Sequence, residues 1–231
     1  MIPLTPIPKI KIPREQAPLL EVFKQMDYGA TRDFALPIEL MMENAGLHLA
    51  TLIARSANKR DRIKIGVGNG NNGGGGLVAA RRLVGWGFDV TLDLFAEITK
   101  PLPLQQLQRA LKFGASLKHD NTPDIWVDAY LGFSQHLPLG QELQERIHIA
   151  NDFNGFKFSL DIPTGFMGNT AANYFKADKI LTLAAPKQLL YNLPKEVAIF
   201  VADLGIPKEL FERLNIRRLP FEGHPILALE R

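Results

Sequence analysis

"RIKIGVGNGNNGGGGLVAARRLVGWGFDVTLDLF", residues 62–95, sets a β-branched run, a glycine–asparagine stretch, an apolar-periodic run and a second β-branched run in succession. That order is a β-loop-α-β unit. Seven glycines and three asparagines occupy ten of the eleven positions from Gly66 to Gly76, Val67 being the other. Glycine inside a helix costs roughly 1 kcal/mol against alanine, so the helix is expected to start near Gly76 or Leu77. The stretch then has three readings. Gly68-x-Gly70-x-x-Gly73, with Asp93 about twenty residues downstream, fits a dinucleotide fingerprint with a ribose-binding acid. A wider loop would offer several backbone N–H groups and asparagine amides to an anion or polar ligand at a helix N-terminus. A bare linker fits poorly, because strand and helix flank the stretch tightly.

Outward from this unit the alternation continues. Helical patterns precede it at about 15–28 and 36–57, the second carrying Leu40, Met41, Ala45, Leu49, Leu52 and Ile53 at helical spacing. After it, "DIWVDAYLG", "FKFSLDIPTG", "KILTLAAPK" and "VAIFVADLG" read as strands, with helices at about 103–113 and 137–151. Strands alternating with helices imply an α/β fold with a mainly parallel sheet covered on both faces. The 231 residues fit a single domain over 15–231, preceded by a proline-rich extended arm over 1–14.

Composition removes several functions. No stretch is apolar for long enough to span a bilayer, and a net charge of +3 without a long basic block lacks the footprint of a nucleic-acid binder. There are no cysteines, which excludes disulfides, thiolate metal sites and a thiol nucleophile and is compatible with a cytoplasmic location. The five histidines, His48, His119, His136, His148 and His224, show no metal-ligand spacing.

Open parallel sheets bind ligands outside the carboxyl ends of their strands. Five of the strands end on polar residues: Asn69, Asn71 and Asn72 after "RIKIGV", Asp128 after "IWV", Asp161 after "KFSL", Lys187 after "KILTLAAP" and Asp203 after "AIFVA". Any one of these reads most simply as a turn former or helix cap. Several on one rim point to a polar cleft.

The residues also carry a resemblance. "GNGNNGGGGLVAARRL" (68–83) resembles the G-x-G-N-N-G-G-D-G-L-V-A-A-R-x-L loop of the YjeF N-terminal domain family, the NAD(P)HX epimerases. "LMMENAG" (40–46) is similar to its L-M-E-N-A-G helix, "VDAYLG" (127–132) to V-D-A-L-F-G, "LDIPTG" (160–165) to D-I-P-S-G, and "ADKILTLAAPK" (177–187) to A-D-x-T-x-T-F-x-A-P-K. The resemblance implies a three-layer α/β/α Rossmann-like fold and interconversion of the R and S epimers of hydrated NADH and NADPH (NADHX and NADPHX). It maps potassium ligands onto Asn72, Asp128 and Thr164. It maps substrate contacts onto Asn71, Asn72, Gly73, Gly74, Gly75, onto Gly132, Phe133, Ser134, Gln135, His136, Leu137, Pro138, and onto Asp161. By the same analogy the chain forms a homodimer, and the dehydratase that consumes the S epimer is a separate polypeptide.

Oxygen ligands from an amide, a carboxylate and a hydroxyl suit an alkali or alkaline-earth cation. Inverting a hydroxylated carbon calls for an acid/base group within reach of that hydroxyl, and Asp161 is the first candidate. Lys187 is the second, as a cation near the ring or phosphates, as a carboxylate's partner, or simply as half of a surface ion pair. Two positions depart from the family pattern. Gly75 stands where the family has the aspartate of N-N-G-G-D, and Phe133-Ser134 replaces a small Thr-Gly pair. The alternative these departures raise is a catalytically impaired nucleotide-binding or protein-interaction module.

Overall fold

The computed structural model describes residues 5–118 and 122–231. His119 lies outside the described residues, as do residues 1–4 of the expected arm. The strands are β1 (Lys9–Lys11), β2 (Arg62–Val67), β3 (Asp89–Leu94), β4 (Ile125–Ala129), β5 (Phe156–Leu160), β6 (Lys179–Leu183), β7 (Ala198–Ala202) and β8 (Ile226–Glu230). The helices are α1 (Leu20–Asp33), α2 (Ile38–Ala54), α3 (Asn71–Gly85), α4 (Pro101–Phe113), α5 (Gln141–Asp152) and α6 (Lys208–Arg213).

All eight strands form one sheet in the order β1-β8-β7-β6-β5-β4-β2-β3, and every neighbouring pair is parallel except β7–β8. Helices cover both sides. On one, α2, α3 and α4 bury Leu49, Ile53, Leu77, Leu83 and Ala110 against Ile65 and Val127 of the sheet. On the other, α5 packs Leu143, Ile147 and Ala150 against Trp126, Phe166 and Ile180. Covered on both faces, β4 is buried at all five positions, which is why it reads as an apolar run broken only by Asp128. A third cluster joins α1 and α6 to the sheet's carboxyl end through Phe23, Met26, Met41, Ala45, Ala184 and Leu210.

Helix α3 begins at Asn71, earlier than glycine propensity suggests. Gly73 to Gly76 are all buried inside its first turns. A β-carbon on Gly73 would lie 1.9 Å from the Gly68 carbonyl oxygen, one on Gly74 2.5 Å from the Met42 sulfur, and one on Gly76 2.5 Å from the Ala129 β-carbon. The close approach of α2, β4 and the preceding loop therefore requires glycine, and tertiary packing overrides the helical cost. At the other end of the sheet, the extended segment at 9–11 is an edge strand beside β8, formed by the tail sequence "ILALE". The Arg231 guanidinium locks this tail by donating to the carbonyls of Leu190, Leu193, Pro194 and Val197.

Helix α1 is pinned by α6. Gly29 fits against the Leu210 side chain of α6, and Arg213 pairs with Asp33 at 2.8 Å.

Candidate active site

The carboxyl ends of β2, β4, β5 and β6 open into a cavity of about 480 Å³, roofed by α1 and the start of α2. The roof is apolar apart from Asp27, contributing Phe23, Met26, Ile38 and Met41. The floor is polar, with Asn71 and Asn72 at the head of α3, Asp161 after β5, and Lys187 after β6.

Asp161 and Lys187 form an ion pair, Oδ1 to Nζ 2.7 Å, with side chains only 2% and 1% exposed. The reading of Lys187 as a surface pair is thereby corrected. The other Asp161 oxygen accepts the Phe133 N–H at 2.9 Å. Lys187 also donates to the Thr182 hydroxyl at 3.0 Å and the Leu183 carbonyl at 3.1 Å, and its Nζ lies 4.0 Å from the centre of the Phe23 ring. Asp161 holds φ +70 and the nearby Ala184 φ +64, left-handed conformations that cost a side-chain-bearing residue roughly 1–2 kcal/mol each. Two such residues on one cavity wall mark the place where the chain stores strain to aim a side chain.

Asp128 is sealed beneath this floor. One oxygen accepts the Thr164 hydroxyl at 2.6 Å and the Tyr130 N–H at 3.2 Å, and the other accepts the Ser159 hydroxyl at 2.9 Å and the Thr164 N–H at 2.8 Å. Burial pushes its carboxyl up to about 6 even though these hydrogen bonds pull it down. The Thr164 hydroxyl in turn accepts the Leu131 N–H, and the Asn72 amide donates to the Leu131 and Leu160 carbonyls at 2.8 and 3.3 Å. Asn72 and Thr164 thus both bind residue 131, and Asp128 binds Thr164. The Asp128 carboxylate touches no cationic side chain among the described residues, and an amide, a carboxylate and a hydroxyl are donor types that suit an alkali ion.

Of the other expected substrate contacts, Gly75, Gly132, Phe133, Ser134 and Gln135 line the cavity. Gly73 and Gly74 face packed neighbours instead, and His136, Leu137 and Pro138 lie on the outer surface. Asn69 is spent locally, accepting the N–H groups of Thr99 and Lys100 and so placing Lys100 at the cavity rim. Asp203 accepts the Gly205 N–H in a turn.

The dinucleotide-fingerprint reading fails on Asp93. That side chain is 3% exposed, bound by Arg146 and by the Tyr130 hydroxyl at 2.5 Å, with Lys64 at 3.8 Å, and it does not reach the cavity. Sequence reasoning passed over Asp27. On α1 it shares an apolar stripe with Phe23, Met26 and Ala30, and an acid on such a stripe was the available signal. Burial first, and then the negative Asp161, raise its carboxyl to about 6 against the pull of Lys187.

Residues 38–189 match the family described as YjeF-related protein N-terminus. The chain belongs to this family. Within it, the chain is 35% identical over 217 residues to the NAD(P)H-hydrate epimerase of Dehalogenimonas lykanthroporepellens, covering 87% of each protein. It is 33% identical over 189 residues to the bifunctional NAD(P)H-hydrate repair enzyme Nnr of Archaeoglobus fulgidus, covering 78% of this chain and 40% of that longer one. The crystal structure of yeast ynu0 superposes with a TM-score of 0.84 over 92% of this chain and 99% of that one, at 20% identity, and shares the fold. The glycine helix, the Asp128 cluster and the Asp161–Lys187 floor all lie within the matched span.

Proposed function

We propose that this protein interconverts the R and S epimers of NADHX and NADPHX. The observation that carries the reading is the buried Asp161–Lys187 pair opening onto a cavity beside the α3 N-terminus, in a chain 35% identical to a named epimerase over most of its length.

The reacting carbon bears a hydroxyl and adjoins the ring nitrogen, so its C–O bond breaks once the oxygen is protonated and the nitrogen lone pair takes up the positive charge. The roof rings and methionines exclude bulk water and give the nicotinamide an apolar face. The Phe133 N–H and Lys187 fix the Asp161 carboxyl, which takes a proton from the incoming oxygen and returns one in the reverse direction. At the head of α3, backbone N–H groups and the Asn71 amide meet the anionic part of the substrate, with Lys100 at the rim.

Asn72, Asp128 and Thr164 would hold a potassium ion, which would offset the buried Asp128 charge and add positive potential beside the substrate. The S epimer formed here would then be open to a dehydratase; a longer relative, that of Archaeoglobus fulgidus, is named a bifunctional repair enzyme.

The test is incubation of R-NADHX with the protein, with and without potassium, followed by NMR or chiral chromatography. Epimer exchange above the uncatalysed rate supports the reading. Binding without exchange would leave an impaired nucleotide-binding module in its place.

A further inference from the structure

Asp161 shares its cavity with a second carboxyl. Asp27 stands one turn after Phe23 on α1, and a four-residue spacing puts the two on the same helix face. Phe23 lies directly over the Lys187 ammonium, so that face looks down on the Asp161–Lys187 pair. Asp27 lines the cavity, half-buried, and no side-chain or backbone donor among the described residues binds its carboxyl. The charged groups facing it are Asp161 and Lys187 from the sheet, with Lys100 across the cavity at the rim. Among the described residues every other buried carboxylate is tied: Asp93 to Arg146 and Tyr130, Asp128 to four hydrogen bonds, Asp161 to Lys187. An untied acid on an apolar roof destabilises the fold and calls for a role at the substrate.

We propose that Asp27 is a second catalytic carboxyl, exchanging a proton with the substrate's ring hydroxyl from the α1 side while Asp161 works from the sheet side. The inference rests on the epimerase reading. Inversion needs the oxygen to leave from one face of the ring and return on the other, and a roof and a floor each carrying a carboxyl supply both. In one direction Asp27 gives its proton to the hydroxyl, the C–O bond breaks, water leaves, and the ring nitrogen lone pair becomes a C=N bond. Water then adds from the opposite face, that π pair returns to nitrogen, and the surplus proton passes to Asp161. Exchange of protons with solvent resets the two carboxyls, and no redox equivalent is consumed. A carboxyl poised near neutrality suits this work in either protonation state.

The experiment compares the intact protein with Asp27→Asn, Asp27→Glu and Asp161→Asn on R-NADHX, after subtraction of the uncatalysed rate. Asp27→Asn is expected to lower kcat by about 100- to 1000-fold with KM within about threefold, and Asp27→Glu to restore part of the rate. The parent's kcat/KM should fall as pH rises through about 6, a limb that Asp27→Asn removes. Carboxyl carbon-13 NMR, with Asp27 assigned from the variant, should show a group titrating near 6 that shifts when NADPHX is added. A folded Asp27→Asn with full kcat and an unchanged pH limb overturns the proposal while leaving the epimerase reading intact. A parent without epimerase activity overturns that reading instead. In that event, an Asp27 signal indifferent to nucleotide also removes Asp27 from the binding site.

Discussion

Two buried carboxylate–cation groups sit on the sheet, one on its edge strand β3 and one after the central strand β5, and they serve different ends. Asp93 on β3 is closed on every side by Arg146, Tyr130 and Lys64, the last stacked 3.9 Å from the Trp126 ring centre. Asp161 is as deeply buried and as firmly paired, yet it borders a cavity, sits at φ +70 and has a second carboxyl above it. Burial and pairing alone therefore do not distinguish a reacting group from a structural knot. Space beside the pair, and strain in the backbone that presents it, do.

Exchanging the acids tests that distinction most severely. Asp161→Asn should cost about 1000-fold or more in kcat/KM while circular dichroism shows a folded chain, whereas Asp93→Asn should leave kcat within about threefold and lose about 1–3 kcal/mol in urea unfolding, as Arg146 and Tyr130 lose a charged acceptor. Equal losses of activity would erase the contrast.

The glycine turn of α3 offers the next test. Gly73→Ala drives a β-carbon into the Gly68 carbonyl oxygen, and about 2–3 kcal/mol of stability should go with it, measurable by the same unfolding curves.

Asp27 sharpens the contrast through pH. Its folded value of about 6 lies above the ordinary 3.8, so the folded state holds the proton more tightly. That contribution to stability is complete below 3.8 and is lost as pH rises through 6. Asp27→Asn should therefore melt higher than its parent at pH 8 and show no such gain at pH 4, by calorimetry. Asp93→Asn should show no comparable gain.

Gly75→Asp carries the smallest effect. Its β-carbon would sit 3.0 Å from a Leu160 methyl, which has only to yield slightly, and the new carboxylate would enter the cavity. A further negative charge should move the loss of activity near pH 6 to higher pH, with kcat changing less than about tenfold.

The β2-α3-β3 unit, the parallel sheet and the polar rim could be read from the sequence because each rests on local periodicity or strand-end chemistry. The start of α3 could not, because glycine's helical cost is overruled by contacts with Met42, Gly68 and Ala129 that no local pattern reveals. Strand β1, three residues among prolines, and β8 in the tail exist through their pairing with each other and with β7. Within the site, Asp161 and Lys187 are legible as strand-end residues, whereas Asp27 arrives from a helix far upstream, where no strand-end pattern marks it. His136, Leu137 and Pro138 continue a loop whose first half alone faces inward.

The clasp between α1 and α6, in which Leu210 abuts Gly29 and Arg213 holds Asp33, ties the height of the ceiling to the last stretch of the chain. Neither helix falls within residues 38–189, where the family motifs lie. Changes at the molecule's periphery can thus reset how far Asp27 stands from the Asp161–Lys187 pair while every motif residue stays in place, so this enzyme's pace is open to tuning from a distance.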